Sequence, residues 1–154
     1  MTYRIVPITK NLAERVRETL TSPQYKSLQA AVSVATGYGP CRSCLRTFEQ
    51  GTDRRVYFTY NSFDGLSKLP APGPVFIPYD ECQPYSGDGF PPDLLDLPVL
   101  LEAFGRESRL ISREEMNPRS VDEQIAATFN DSDVEFINLR NGEAGCFIAR
   151  VDRV

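Results

Sequence analysis

Two kinds of side chain are spaced so that they could do chemistry: four cysteines, and arginines that crowd the first two of them. Cys41 and Cys44 are three residues apart, while Cys82 and Cys146 stand alone further along the chain. Four thiolates in a tetrahedron make a structural zinc site, but such sites usually bring two close-spaced pairs, and here the second pair is split. A redox role for the pair would need the first thiol at a helix N-terminus. Gly37-Tyr38-Gly39-Pro40 instead reads as a loop, and the residues after it as a strand. No cofactor is therefore expected. Zinc on Cys41, Cys44, Cys82 and Cys146 is the less favoured alternative, and Cys44 and Cys146 read first as small core residues.

Arg42, Arg46, Arg140 and Arg150 all fall on or beside expected strands. A guanidinium in a sheet needs either an internal carboxylate or an anionic ligand held by its fork of donors. Asp80, Glu102 and Asp152 are available as internal partners, which is the plainer reading. The functional alternative is a pocket for a carboxylate or phosphate at one sheet end. Arg42, Arg46 and Arg140 would contact the anion beside Cys41, with Tyr38, Tyr60 and Tyr79 as aromatic walls. The expected function on this reading is binding of a small anionic ligand, and catalysis is left open. The competing reading is a protein–protein interaction or regulatory domain using Pro-rich loops and an exposed sheet edge. Asp80-Glu81 beside Tyr79 is a weak acid–base signal, because adjacent strand residues face opposite ways.

Composition excludes more than it includes. With no histidine, Ser-His-Asp and Cys-His catalysis and His-ligated metals are out of reach. Seventeen Lys and Arg against 21 Asp and Glu give a net charge of −4, without a basic run, so neither nucleic acid nor an anionic membrane is an expected partner. No apolar run approaches the roughly 18 residues of a membrane span. The N-terminal residues lack a signal-peptide pattern, so a reducing cytoplasm is the expected location. At 154 residues, 41% hydrophobic and 25% charged, residues 1–154 are expected to form one soluble domain. Oligomeric state is not readable.

The elements that must position these side chains follow from periodicity and punctuation. Tyr3 to Ile8 reads as an edge strand. Asn11 reads as an N-cap with Glu14 completing a capping box, followed by Leu12, Val16 and Leu20 on one helical face until Ser22-Pro23. A helical turn and a strand near 30–35 come next. Residues 44–50 and 54–60 then read as a hairpin about Gln50-Gly51-Thr52-Asp53. In that arrangement an antiparallel strand 75–80 would carry Cys82 on the order of 20 Å from Cys41, and only a parallel crossover would return it. Long loops are expected over 61–74 and 83–92, and a second hairpin over 99–104 and 109–113. A helix capped by Ser120 carries Val121, Ile125 and Phe129 to about Asn130, and a last hairpin joins 134–140 to 146–152. Hairpins without regular strand–helix alternation indicate α+β: a mostly antiparallel sheet with an N-terminal helix and one helix before the C-terminal hairpin.

Gly37-Tyr38-Gly39-Pro40-Cys41-Arg42-Ser43-Cys44-Leu45-Arg46, Gly73-Pro74-Val75-Phe76-Ile77 and Gly145-Cys146-Phe147-Ile148-Ala149-Arg150-Val151-Asp152-Arg153 appear in that order. Together they resemble the motifs of a bacterial family known as domain of unknown function twelve-oh-three. The resemblance implies a small soluble bacterial protein and brings no activity, cofactor or partner. One departure is Ile137-Asn138-Leu139-Arg140-Asn141, where members of that family often carry a histidine.

Overall fold

The computed structural model describes residues 3–63 and 73–154, which form an α+β fold of two antiparallel sheets and two helices. In chain order the elements are β1 (Tyr3–Val6), α1 (Lys10–Thr19), β2 (Ala31–Val34), β3 (Arg54–Tyr60), β4 (Gly73–Pro78), β5 (Val99–Phe104), β6 (Leu110–Glu115), α2 (Val121–Phe129), β7 (Phe136–Asn141) and β8 (Phe147–Arg153). One sheet has the spatial order β1-β8-β7-β5-β6, the other β2-β3-β4. The β5–β6 and β7–β8 hairpins form as read, and β1 closes the large sheet by pairing with the C-terminal strand.

β7 sits in the middle of the large sheet and is buried on both faces, as its unbroken apolar run requires. Ile137 and Leu139 enter the main core with Ile125 and Phe129 of α2. Phe136, on the opposite face, stacks on Phe104 with ring centroids 5.4 Å apart. The second core is smaller. It packs Ala13 and Val16 of α1 onto Val56, Phe58, Val75 and Ile77 of the small sheet, with Phe147 of β8 joining from the large one. Each fully buried side chain of this size contributes roughly 1.5–3 kcal/mol of transfer free energy.

The helix ends differ from the sequence reading. Thr9, not Asn11, caps α1, its Oγ1 accepting the Leu12 N–H at 3.3 Å, and α1 ends on Leu20 in the left-handed region. Ser120 precedes α2 without a side-chain cap bond. Gln124 serves there instead, accepting the Asn117 N–H at 3.0 Å and donating to the Glu115 carbonyl at 2.8 Å.

The larger correction concerns the middle of the chain. Residues 44–50 are not a strand, and β3 pairs on one side with β2 and on the other with β4. The cysteine pair therefore lies in the long connection from β2 to β3, at the Arg54 end of the small sheet. Because β4 runs antiparallel to β3 with Arg55 opposite Pro78, β4 also ends there. Antiparallel pairing thus delivers Cys82 to Cys41, contrary to the 20 Å separation expected of it. The displaced assumption was which end of β3 the cysteine loop joins. β2 itself is an outer strand, and all four of its residues are exposed. No described helix is long and apolar enough to cross a membrane. The calls on residues 64–72, within the predicted 61–74 loop, lie outside the described residues.

Candidate metal centre

Backbone contacts fix residues 41–46 from several directions. The Leu45 N–H donates to the Cys41 carbonyl at 3.0 Å and the Cys41 N–H to the Arg46 carbonyl at 2.9 Å, closing the loop on itself. Arg42 lies between Ile8, whose N–H donates to its carbonyl (2.9 Å), and Phe76, whose carbonyl accepts its N–H (3.0 Å). The Tyr85 N–H holds the Ser43 carbonyl at 2.9 Å. Leu45 occupies the left-handed region at φ 61°, unfavourable for a side chain by about 1–2 kcal/mol, and is completely buried in the main core. Its burial offsets that cost and anchors the loop. Gly39, at φ 95°, is required: a Cβ there would lie 2.4 Å from the Phe48 ring.

This scaffold turns sulfur inward. The Sγ atoms of Cys41, Cys44 and Cys82 lie within 4.8 Å of one another, with 4.0 Å between Cys41 and Cys82. A tetrahedral zinc with Zn–S near 2.3 Å sets sulfur–sulfur edges of roughly 3.8 Å, so the trio needs only a small contraction to fit. The N–H groups of Ser43 and Cys44 point at Cys41 Sγ from 3.3 and 3.4 Å. Arg17 donates from Nη2 to Cys82 Sγ at 3.9 Å while its Nε holds the Pro78 carbonyl at 2.8 Å. Arg46 lines the same cavity as Cys44, and the sulfur raises the pKa of its guanidinium. Donors aimed at sulfur favour thiolate over thiol. Hydrogen bonds from Cys41, Cys82 and Arg46 accordingly hold the Cys44 thiol far below its ordinary range. Burial, together with the neighbouring sulfurs, pushes Cys41 up.

The sulfurs open on a cavity of about 480 Å³ whose wall includes Arg46, Thr47, Glu49, Arg54 and Asp93. Of the residues that the sequence suggested, Cys41, Cys44, Cys82 and Arg46 meet here. Arg42 does not line this cavity. It is 3% exposed, and its guanidinium donates to the Phe147 carbonyl (2.6 Å) and the Pro40 carbonyl (2.5 Å), with no carboxylate partner among the described residues. Burial lowers its pKa to about 10, and the nearest groups able to offset its charge are Cys146, Cys41 and Tyr38. Tyr38 accepts a hydrogen bond from Asn141 at 3.1 Å, and the exposed Tyr79 stacks under the Arg54 guanidinium.

Arg140 and Tyr60 belong to a separate cavity of about 210 Å³ at the β7–β8 turn, together with Cys146. Cys146 is thus not the fourth member of the sulfur group; its Sγ lies 3.8 Å from the Ala144 carbonyl. Placed at the start of β8, it lies across Arg42 from the loop. Arg140 is matched by Glu102 at 2.7 Å, and Arg150 by Asp152 at 2.5 Å. Asn138, within the stretch 137–141 where the resemblance would lead one to expect a histidine, is completely buried. Its Nδ2 is 3.5 Å from Ser62 Oγ, and its Oδ1 has no partner. Arg17, Thr47 and Asp93 were not singled out by the sequence. Only the position of Arg17 in the last turn of α1 hinted at a role, and nothing local announced that α1 would lie against Cys82.

No curated protein and no solved structure matches this chain. A family model described as "Protein of unknown function (DUF1203)" matches residues 38–153, a span that holds all four cysteines. The chain belongs to the DUF1203 family.

Proposed function

We propose that this domain binds a thiophilic divalent metal, zinc above all, through Cys41, Cys44 and Cys82, and presents the metal's open side to a small anionic ligand beside Arg46. The observation that carries the reading is the convergence of three sulfurs under backbone and guanidinium donors, without an intervening carboxylate. Three protein ligands and a vacant fourth position are the pattern of a metal centre that handles a ligand, whereas a purely structural site closes all four. The charge balance agrees. A divalent ion on three thiolates leaves −1 in a region that holds Arg17, Arg42 and Arg46, and Arg42 has no carboxylate partner among the described residues. The anion-binding reading of the arginines survives in altered form, through Arg46 and the metal rather than Arg42 and Arg140. A reducing cytoplasm is the compartment in which such a centre would keep its thiols.

The test is zinc stoichiometry of the purified protein under chelator competition. One tightly held zinc per chain is expected, lost in Cys41→Ser, Cys44→Ser and Cys82→Ser and kept in Cys146→Ser. Retention in all four variants, or uptake by none including the parent, would overturn the reading.

A second reading rests on β2. Ala31, Val32, Ser33 and Val34 are all exposed on an outer strand that carries neither proline nor charge, features that usually guard such an edge. Edge-to-edge association with a second copy is its consequence. Sedimentation over a concentration series would show a dimer that Val32→Lys abolishes; a monomer throughout rules it out.

A further inference from the structure

The chain has no histidine and only four cysteines, and Cys146 lines a different cavity. No fourth thiol or imidazole of this chain therefore reaches the centre. Among the described residues, no carboxylate oxygen joins the three sulfurs either. Whatever completes the shell enters through the cavity of about 480 Å³, within the roughly 300–1,000 Å³ typical of small-molecule sites.

The charges around that opening narrow the class of ligand. Arg54 is paired with Asp80 at 2.7 Å, and Glu81 with Lys10 at 3.7 Å. Asp53 accepts the Glu49 N–H at 2.7 Å. Asp93 accepts from the Thr47 N–H at 3.0 Å and Thr47 Oγ1 at 3.4 Å, bonds that leave its negative charge unneutralised. Setting the matched ions aside, one cation remains in the lining of this cavity, Arg46, which makes no ion pair among the described residues. Three anions remain in the same lining, Glu49, Asp53 and Asp93. A soft metal in a sulfur shell prefers a soft fourth donor. The complement of this arrangement is a molecule with a thiolate at one end and both an acid and an amine close by.

We infer that the fourth ligand is a small zwitterionic aminothiol: its sulfur on the metal, its carboxylate on Arg46 and its ammonium toward the acidic group of Glu49, Asp53 and Asp93. The inference rests on the metal reading above. Binding transfers no electrons. The incoming thiol gives up its proton to solvent as the metal–sulfur bond forms, and any bound water leaves.

The experiment uses the full chain loaded with cobalt(II), whose sulfur-to-metal charge-transfer band grows with each thiolate bound. Four probes each keep or delete one group: cysteine, 3-mercaptopropionate (no amine), cysteamine (no carboxylate) and serine (no thiol). Protein-bound cobalt is measured after desalting. Cysteine is expected to intensify the band with cobalt retained, and serine to leave it unchanged. Cysteamine should bind about three- to tenfold more weakly than cysteine, a gap that disappears in Arg46→Met. Mercaptopropionate should bind about two- to fivefold more weakly, a gap that disappears when Glu49→Gln, Asp53→Asn and Asp93→Asn are combined. A cobalt-loaded protein whose spectrum ignores cysteine overturns this inference alone. Equal binding of all three thiols, or stripping of the cobalt by them, overturns it as well. A parent chain that takes up no metal removes the metal reading and this inference together.

Discussion

The molecule contains two places where arginines stand beside a cysteine at the mouth of a cavity, and they have opposite characters. At the β7–β8 turn, Arg140 meets Glu102, which is nearly buried and also binds Arg113 at 2.8 Å. Charge there is settled by carboxylate, and Cys146 is a bystander. At the end of the small sheet, Arg17, Arg42 and Arg46 find no carboxylate among the described residues, and what they meet is sulfur or backbone carbonyl. The difference teaches that a cluster of guanidinium groups carries no function by itself. Its meaning depends on which anion the fold supplies, and an arginine cluster without acids marks a place where the missing negative charge comes from ionised thiols or from outside.

The strongest way to break the comparison is to load each cysteine region with zinc. Free zinc at about 1,000 times its Kd should stabilise the chain by about 4 kcal/mol, which moves Tm by about 10 °C for a domain of this size. Calorimetry should find that shift in the parent and in Cys146→Ser and none in Cys44→Ser. A shift lost in Cys146→Ser would mean that the two regions are not distinct.

Next in size is the contrast between the arginines. Arg42→Met leaves the buried Pro40 and Phe147 carbonyls without donors, at about 1–3 kcal/mol each, partly offset by no longer burying a charge. A net loss of about 2–3 kcal/mol is expected in urea unfolding. Arg140→Met should cost less, about 1–2 kcal/mol, because Arg113 continues to neutralise Glu102. The reverse order would sink the view that Arg42 answers an unmatched region.

Proton bookkeeping sharpens it further. Cys44, held low by its neighbours, is already thiolate at neutral pH, so metal-free protein should be alkylated there first, at a rate nearly flat from about pH 6 to 8. Cys41, pushed up by burial, keeps its proton, and zinc must displace it. Zinc affinity should therefore rise with pH, by up to about tenfold per unit for each proton released. Mass spectrometry of the alkylated cysteines and a competition titration at several pH values read both. The smallest effect is Arg54→Ala. That pair with Asp80 is exposed and should be worth less than about 1 kcal/mol in the same urea series.

Much of the fold was legible, and the reason lies in local signals. Val121, Ile125 and Phe129 announce a helix face, and Asn141-Gly142 a turn between two apolar runs, whatever the rest of the chain does. The site was legible only in part. Cys41 and Arg46 could be named, but their partners are set by topology. The decisive fact is that residues 35–53 connect β2 to β3 at the end where β4 also finishes. No period or turn residue within 44–50 reports that. The Thr47 and Phe48 that look like strand residues are instead a lining of the cavity and a ring packed on Phe76. Arg42 was misplaced for a related reason: sequence neighbours of a site are not its walls, and alternation sends the residue after Cys41 away from it.

That single buried guanidinium has a wider consequence. Its backbone belongs to the sulfur loop and is pinned by β4, while its head group grips the first residue of β8, the strand at the centre of the contact between the two sheets. Arg42 is thus a mechanical tie rod. Through that one side chain the sulfur loop and the C-terminal strand share a hydrogen bond, which makes the amides around Phe147 the place to look for a response when the loop binds metal.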